Sequence, residues 1–256
     1  MLNKVPEVTI IFWIIKVTAT TVGETAADFL STTLHLGLTI TTYVMGALFL
    51  IALAVQMTRR RYIPAIYWTV VALVSVVGTL ITDNLTDTFG ISLKTTSIVF
   101  AVVLALVFLT WWLSERDLSV HTIVTPKREA FYWAAILFTF ALGTATGDLT
   151  AETFGLGYGV SLLVFAGLIA LTALAYYAFK INGVLAFWIA YVLTRPLGAS
   201  TGDLLAQAPK DGGLGLGPTA VSALCLATMI GLVIYLSGQQ RREDGAVRTA
   251  RATALN

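Results

Sequence analysis

The stretch FWIIKVTATTVGETAAD at residues 12–28 decides the fold, because the chain writes it four times. The later copies are YWTVVALVSVVGTLITD at 67–83, YWAAILFTFALGTATGD at 132–148 and FWIAYVLTRPLGASTGD at 187–203. Trp13, Trp68, Trp133 and Trp188 are each followed ten residues on by Gly23, Gly78, Gly143 and Gly198, and five residues later by Asp28, Asp83, Asp148 and Asp203. Self-similarity of this kind marks a repeat architecture and is read before hydropathy. An aromatic residue, Phe12, Tyr67, Tyr132 or Phe187, precedes every tryptophan. The copies stand 55, 65 and 55 residues apart, and the polar stretch from Ser114 to Glu129 fills the longer middle spacing, dividing the chain into halves of two repeats each.

The chain belongs in lipid. Of its 256 residues, 57% are hydrophobic and 12% charged, against roughly one-quarter charged in soluble domains. Mean hydropathy is +0.84. A hydrocarbon core about 30 Å thick takes roughly 20 apolar residues per helix, so the expected spans are 9–29, 38–57, 64–84, 94–113, 131–149, 158–179, 184–204 and 218–237. The fold class is therefore all-α: a polytopic integral membrane protein of eight transmembrane helices, arranged as four parallel two-helix repeats. The repeats cover approximately 9–62, 64–117, 129–182 and 184–238, in a single membrane domain, with a flexible cytoplasmic tail at 239–256. Because each repeat has two spans, the repeats point the same way and their pseudo-symmetry axis lies along the membrane normal. The first apolar run contains Lys16 and Glu24 and leads directly into a second span, so it is read as a retained helix and not a signal peptide.

Short Gly- and Thr-rich segments follow each motif aspartate: LHLGLT at 34–39, FGISLK at 89–94, FGLGYG at 154–159 and GGLGLG at 212–217. They read as turns or short re-entrant pieces. Twelve of the 16 lysines and arginines (Lys4, Arg59, Arg60, Arg61, Arg116, Lys127, Arg128, Lys180, Arg241, Arg242, Arg248 and Arg251) lie at the N-terminus or after even-numbered helices, and the opposite loops hold Lys210 alone. The positive-inside rule then makes both termini cytoplasmic and sets the aromatic–tryptophan pairs near that interface as an aromatic belt. The basic residues form short loop clusters without a stripe or stacking platform, so nucleic acid is not an expected partner. The lone Cys225 excludes an intramolecular disulfide.

The four W-x9-G-x4-D units, two spans to a unit, resemble the DUF347 repeat family of bacterial membrane proteins over nearly the whole chain, roughly 9–237. The resemblance implies eight helices and a multi-pass protein of the bacterial inner membrane. It implies no function, since that family is defined by sequence and not by an established activity. Repeat 4 departs by an insertion around Pro209 to Gly213, and repeat 1 lacks the Thr-Gly that precedes Asp148 and Asp203.

Candidate chemistry gathers at the aspartates. A second polar residue stands one helical turn from each: Glu24 before Asp28, Asp87 after Asp83, Glu152 after Asp148 and Gln207 after Asp203. Seven carboxylates against three cations within the apolar blocks, Lys16, Lys94 and Arg195, leave an excess of four negative charges. A charge at mid-membrane costs about 2.5–3.5 kcal/mol on insertion scales, so such groups face a bundle interior or a wet cavity. Lys16 and Arg195 are expected as counter-ions of the acidic cluster. Oxygen ligands suit hard cations such as Mn2+, Mg2+, Ca2+ or Na+, and the same carboxylates can carry protons. His35 is the one histidine near a motif and Cys225 is remote, which argues against zinc or copper.

Helix capping is the competing role for the aspartates, close helix packing for the glycines, and anchoring or packing for the tryptophans. The leading functional expectation is a transporter or exporter of a small cation through a central acidic site. That site is lined by Asp28, Asp83, Asp148 and Asp203 in a ring with Glu24, Asp87 and Glu152, the four aspartates are candidate metal ligands, and no covalent cofactor is expected. The partners are the lipid bilayer and the cation. The alternatives are an intramembrane aspartyl hydrolase, because Thr146-Gly147-Asp148 and Thr201-Gly202-Asp203 resemble part of the Gly-x-Gly-Asp element of such proteases, and a non-transporting membrane sensor or assembly protein.

Overall fold

The computed structural model describes residues 3–253, with side chains described through residue 246. Among the described residues eight long helices run in order: α1 (Ile10–Asp28), α2 (Leu38–Thr58), α3 (Pro64–Asp83), α4 (Leu93–Glu115), α5 (Pro126–Asp148), α6 (Gly157–Phe179), α7 (Gly183–Ala206) and α8 (Pro218–Thr253). Their starts are specified locally. Thr9, Ser92, Thr125 and Asn182 accept backbone N–H groups of the first turns of α1, α4, α5 and α7. Pro64 and Pro126 stand at the first position of α3 and α5, where the missing N–H costs nothing.

All eight helices are long and apolar enough to cross a membrane, and the chain is a multi-pass membrane protein. The odd-numbered helices, which carry the motif, form an inner ring: α1 packs on α3, α3 on α5, α5 on α7, and α7 closes back on α1. Between 50% and 67% of each inner span is buried, against 6% to 28% of each outer one. Each outer helix packs on the inner helix of the following repeat: α2 on α3, α4 on α5, α6 on α7 and α8 on α1. The repeats therefore interlock, and no two-helix unit stands alone.

The motif glycines set the spacing of the inner ring. A Cβ on Gly23 would strike Ser75, one on Gly78 would strike Phe140, one on Gly143 would strike Arg195, and one on Gly198 would strike Thr20. Each struck residue sits eight positions after the leading aromatic of the next repeat, so one contact recurs four times around the ring.

Two sequence expectations change. Trp68, Trp133 and Trp188 are buried and only Trp13 is half-buried, so the tryptophans pack within the bundle instead of lining an outward belt. They lie among Phe12, Tyr67, Tyr132 and Tyr191 in the main apolar core, because the inner ring turns its motif face inward. From residue 239, where a flexible tail was expected, α8 continues as helix to Thr253, with Gln240 donating to the Tyr62 carbonyl at 2.9 Å and Arg61 paired to Asp244 at 2.8 Å. Residues 254–256 of that tail lie outside the described residues, as do the side chains of Arg248 and Arg251.

Candidate functional site

The site is built where the inner helices end. Directly after Asp28, Asp83 and Asp148 the helices widen into single π-helical turns, Phe29–Thr33, Asn84–Thr88 and Leu149–Thr153. Such turns recur at functional sites. Repeat 4 departs: α7 runs through Asp203 as regular helix, and a 3-10 turn at Pro209–Asp211 follows. The capping role fails for these aspartates. None of Asp28, Asp83 and Asp148 makes a side-chain capping bond, and Asp203 lies inside a helix.

Instead the acids line one cavity of about 210 Å³, at the bundle end opposite the termini, walled by Glu24, Asp28, Asp83, Asp87, Asp148, Glu152 and Asp203. Burial is graded along it. Asp87 and Glu152 are exposed at its mouth, Asp28, Asp83 and Asp148 are half-buried, and Asp203 and Glu24 are buried at its floor. Gln207 donates to the Asp28 carboxylate at 3.2 Å, joining repeats 4 and 1. One carboxylate oxygen each from Glu24, Asp148 and Asp203 lies within 4.8 Å of the others, three oxygen atoms from three helices.

Arg195 seals the floor. Its guanidinium, fully buried, pairs with Glu24 at 2.9 Å, donates to Thr144 Oγ1 at 2.6 Å, and also reaches Thr79 Oγ1. Glu24, Thr79 and Thr144 are the residues that follow Gly23, Gly78 and Gly143, so three equivalent positions converge on one cation. Sequence reasoning missed Thr79 and Thr144. The signal was present, in the polar residue after three of the four motif glycines; Ala199 is the exception, in the repeat that supplies the arginine itself.

Lys16 is not brought to the acidic cluster, contrary to its expected role as a counter-ion. It is fully buried, but its Nζ lies over the rings of Phe140 at 3.9 Å and Tyr191 at 4.2 Å and makes no hydrogen bond. Lys16 precedes Glu24 by eight residues, about 12 Å along the helix, which carries its amine past the floor and into aromatic packing. Lys94 is exposed at the start of α4. Of the three basic residues within the apolar blocks, Arg195 alone among the described residues pairs with an acid of the cavity.

Beyond Lys16 the bundle is shut. Tyr67 and Tyr132 meet hydroxyl to hydroxyl at 2.5 Å, and Phe12 packs against Trp68 and Tyr191. Further toward the termini, Lys4 forms a buried ion pair with Glu129 at 2.6 Å, and Gln56 donates to the same carboxylate at 3.0 Å. Tyr62, in the loop before α3, accepts from Trp68 Nε1 at 3.1 Å, and burial pushes its phenol above the ordinary value, so it stays a neutral hydroxyl.

Chemically, the cavity offers, among the described residues, carboxylate and hydroxyl oxygen, one amide and no sulfur or imidazole, since His35 is exposed on the loop after α1 and Cys225 sits half-buried in α8. Such donors suit hard cations and protons.

A sequence model described as Repeat of Unknown Function (DUF347) matches the chain four times, over residues 11–62, 66–117, 131–182 and 186–242. No curated protein and no solved structure matches it.

Proposed function

This chain belongs to the DUF347 repeat family, and from that premise we propose that it is a transporter of a small hard cation, a divalent metal such as Mn2+ or else a monovalent cation or proton, across the bacterial inner membrane. The observation that carries this reading is the meeting of Glu24, Asp148 and Asp203, from three repeats, with carboxylate oxygens within 4.8 Å of one another inside helices long and apolar enough to cross a membrane. Repulsion among such carboxylates makes a bound cation favourable. Arg195 supplies the resident countercharge that lets the floor exist without one.

The acidic cavity lies at one end, and the aromatic layer with the Lys4–Glu129 pair closes the other. That one-sided access suits a carrier caught in one of two facing states. With both termini cytoplasmic, as the loop charges favour, the cavity faces the periplasm. Reporter fusions after residues 62 and 247 should both report cytoplasm; a periplasmic signal at either overturns this topology, and a periplasmic signal at both reverses the direction.

The deciding experiment is flux into proteoliposomes loaded with a Mn2+-sensitive dye, with and without a pH gradient. Wild type should give saturable uptake. Asp83→Asn and Asp148→Asn, which keep shape and hydrogen bonding while deleting charge, should abolish it in protein that still folds. Wild-type flux in both variants would remove the cation reading.

A further inference from the structure

A second cavity, about 780 Å³, lies outside the inner ring between α6 and the α1–α7 pair, and it exists where the four-fold pattern fails. In repeat 4, the motif tryptophan Trp188 is covered from α4: Phe108 meets its ring at 4.8 Å and Trp111 at 5.8 Å. Advancing the tryptophan register by one repeat puts Ala173 of α6 where Phe108 stands and Tyr176 where Trp111 stands. Both line the new cavity, as does Trp13, the tryptophan they would have to cover. A methyl group cannot reach it, and Tyr176 is 43% exposed where Trp111 is fully buried. The corresponding positions of α2 and, after the longer last loop is allowed for, α8 hold Leu53 and Val233, both packed on the core. One seam of four thus lacks its filling side chain.

We propose that the acyl chain of a membrane phospholipid occupies this groove and takes the place that Phe108 fills in the neighbouring seam. Most of the wall belongs to the three spans α1, α6 and α7, so the groove opens beside membrane-crossing helices, where acyl chains are the solvent. Its volume falls within the roughly 300–1,000 Å³ of small-ligand sites. The lining is mostly apolar, with the hydroxyls of Thr172 and Thr194 bonded to carbonyls of their own helices, while Ser119, His121 and Asn182 gather at the end that carries the termini, the depth at which a headgroup lies. An empty groove would strip the Trp13 ring of contacts that its three counterparts keep. This inference is independent of the cation reading.

The test is native mass spectrometry of the full chain released from mild detergent. Wild type should retain one phospholipid per chain. Ala173→Phe, which restores the missing ring, should lower the retained fraction at least tenfold, while Leu171→Phe, an exposed position of α6 outside the groove, should leave it unchanged. If Ala173→Phe does not accumulate as folded protein, Ala190→Leu fills the groove from the α7 wall and is read the same way. A wild-type chain without lipid, full retention in the groove-filled variant, or a dimer whose association the filling residue disrupts, would each overturn the proposal.

Discussion

Glu24 of α1 and Arg195 of α7 meet at 2.9 Å, both buried, across the point where the last repeat closes the ring onto the first. Their attraction is bought with desolvation on both sides, so the pair's strength shows chiefly when one partner is lost. Leaving a buried charge uncompensated costs about 3–5 kcal/mol. Arg195→Gln should therefore lower the thermal midpoint in detergent sharply, and the double variant Glu24→Gln/Arg195→Gln should recover part of that loss. A double variant no more stable than the single one would mean that Arg195 acts through packing alone.

Burial within the cavity ranks its acids. Asp148 contributes an oxygen to the three-carboxylate cluster, whereas Asp87 is exposed at the mouth, where water screens it. Deleting a ligand charge at low dielectric should weaken Mn2+ binding by about tenfold or more, and deleting a screened one far less. Titration calorimetry on Asp148→Asn and Asp87→Asn tests the order, and equal losses would place the ion at the mouth.

Close approach of the inner helices depends on their glycines. A Cβ at Gly143 would overlap the Cβ and Cγ of Arg195 and crowd Pro196, whereas one at Gly46 in α2 meets nothing within 4 Å. Gly143→Ala should cost about 1–3 kcal/mol or more by overpacking. Gly46→Ala should be neutral or slightly stabilising, by up to about 1 kcal/mol. Paired melting curves of the two variants give the answer, and similar midpoints would count against the packing role.

His35 holds a left-handed backbone conformation, φ 54°, at the position where repeats 2 and 3 have Gly90 at 68° and Gly155 at 67°. That conformation costs a residue with a Cβ about 1–2 kcal/mol. His35→Gly should raise the thermal midpoint without altering cation flux. A lowered midpoint would show that the imidazole makes up for the strain through contacts of its own.

The sequence by itself determined the number of spans, the four repeats and the equivalent placing of the four aspartates within them, because hydropathy and spacing are properties of the chain alone. It also made the acids candidates, since carboxylates in an apolar block require a shared interior. Tertiary structure decided what spacing cannot express. That α2 packs on α3, α4 on α5, α6 on α7 and α8 on α1 depends on the direction each loop takes around the ring. Which charges meet follows from the same geometry: Lys16 and Arg195 look alike in sequence, yet they lie at different heights of the ring, so one is held by aromatic rings and the other by Glu24, Thr79 and Thr144. The groove beside Trp13 is likewise invisible in repeat 1, because the residue that leaves it open, Ala173, belongs to repeat 3.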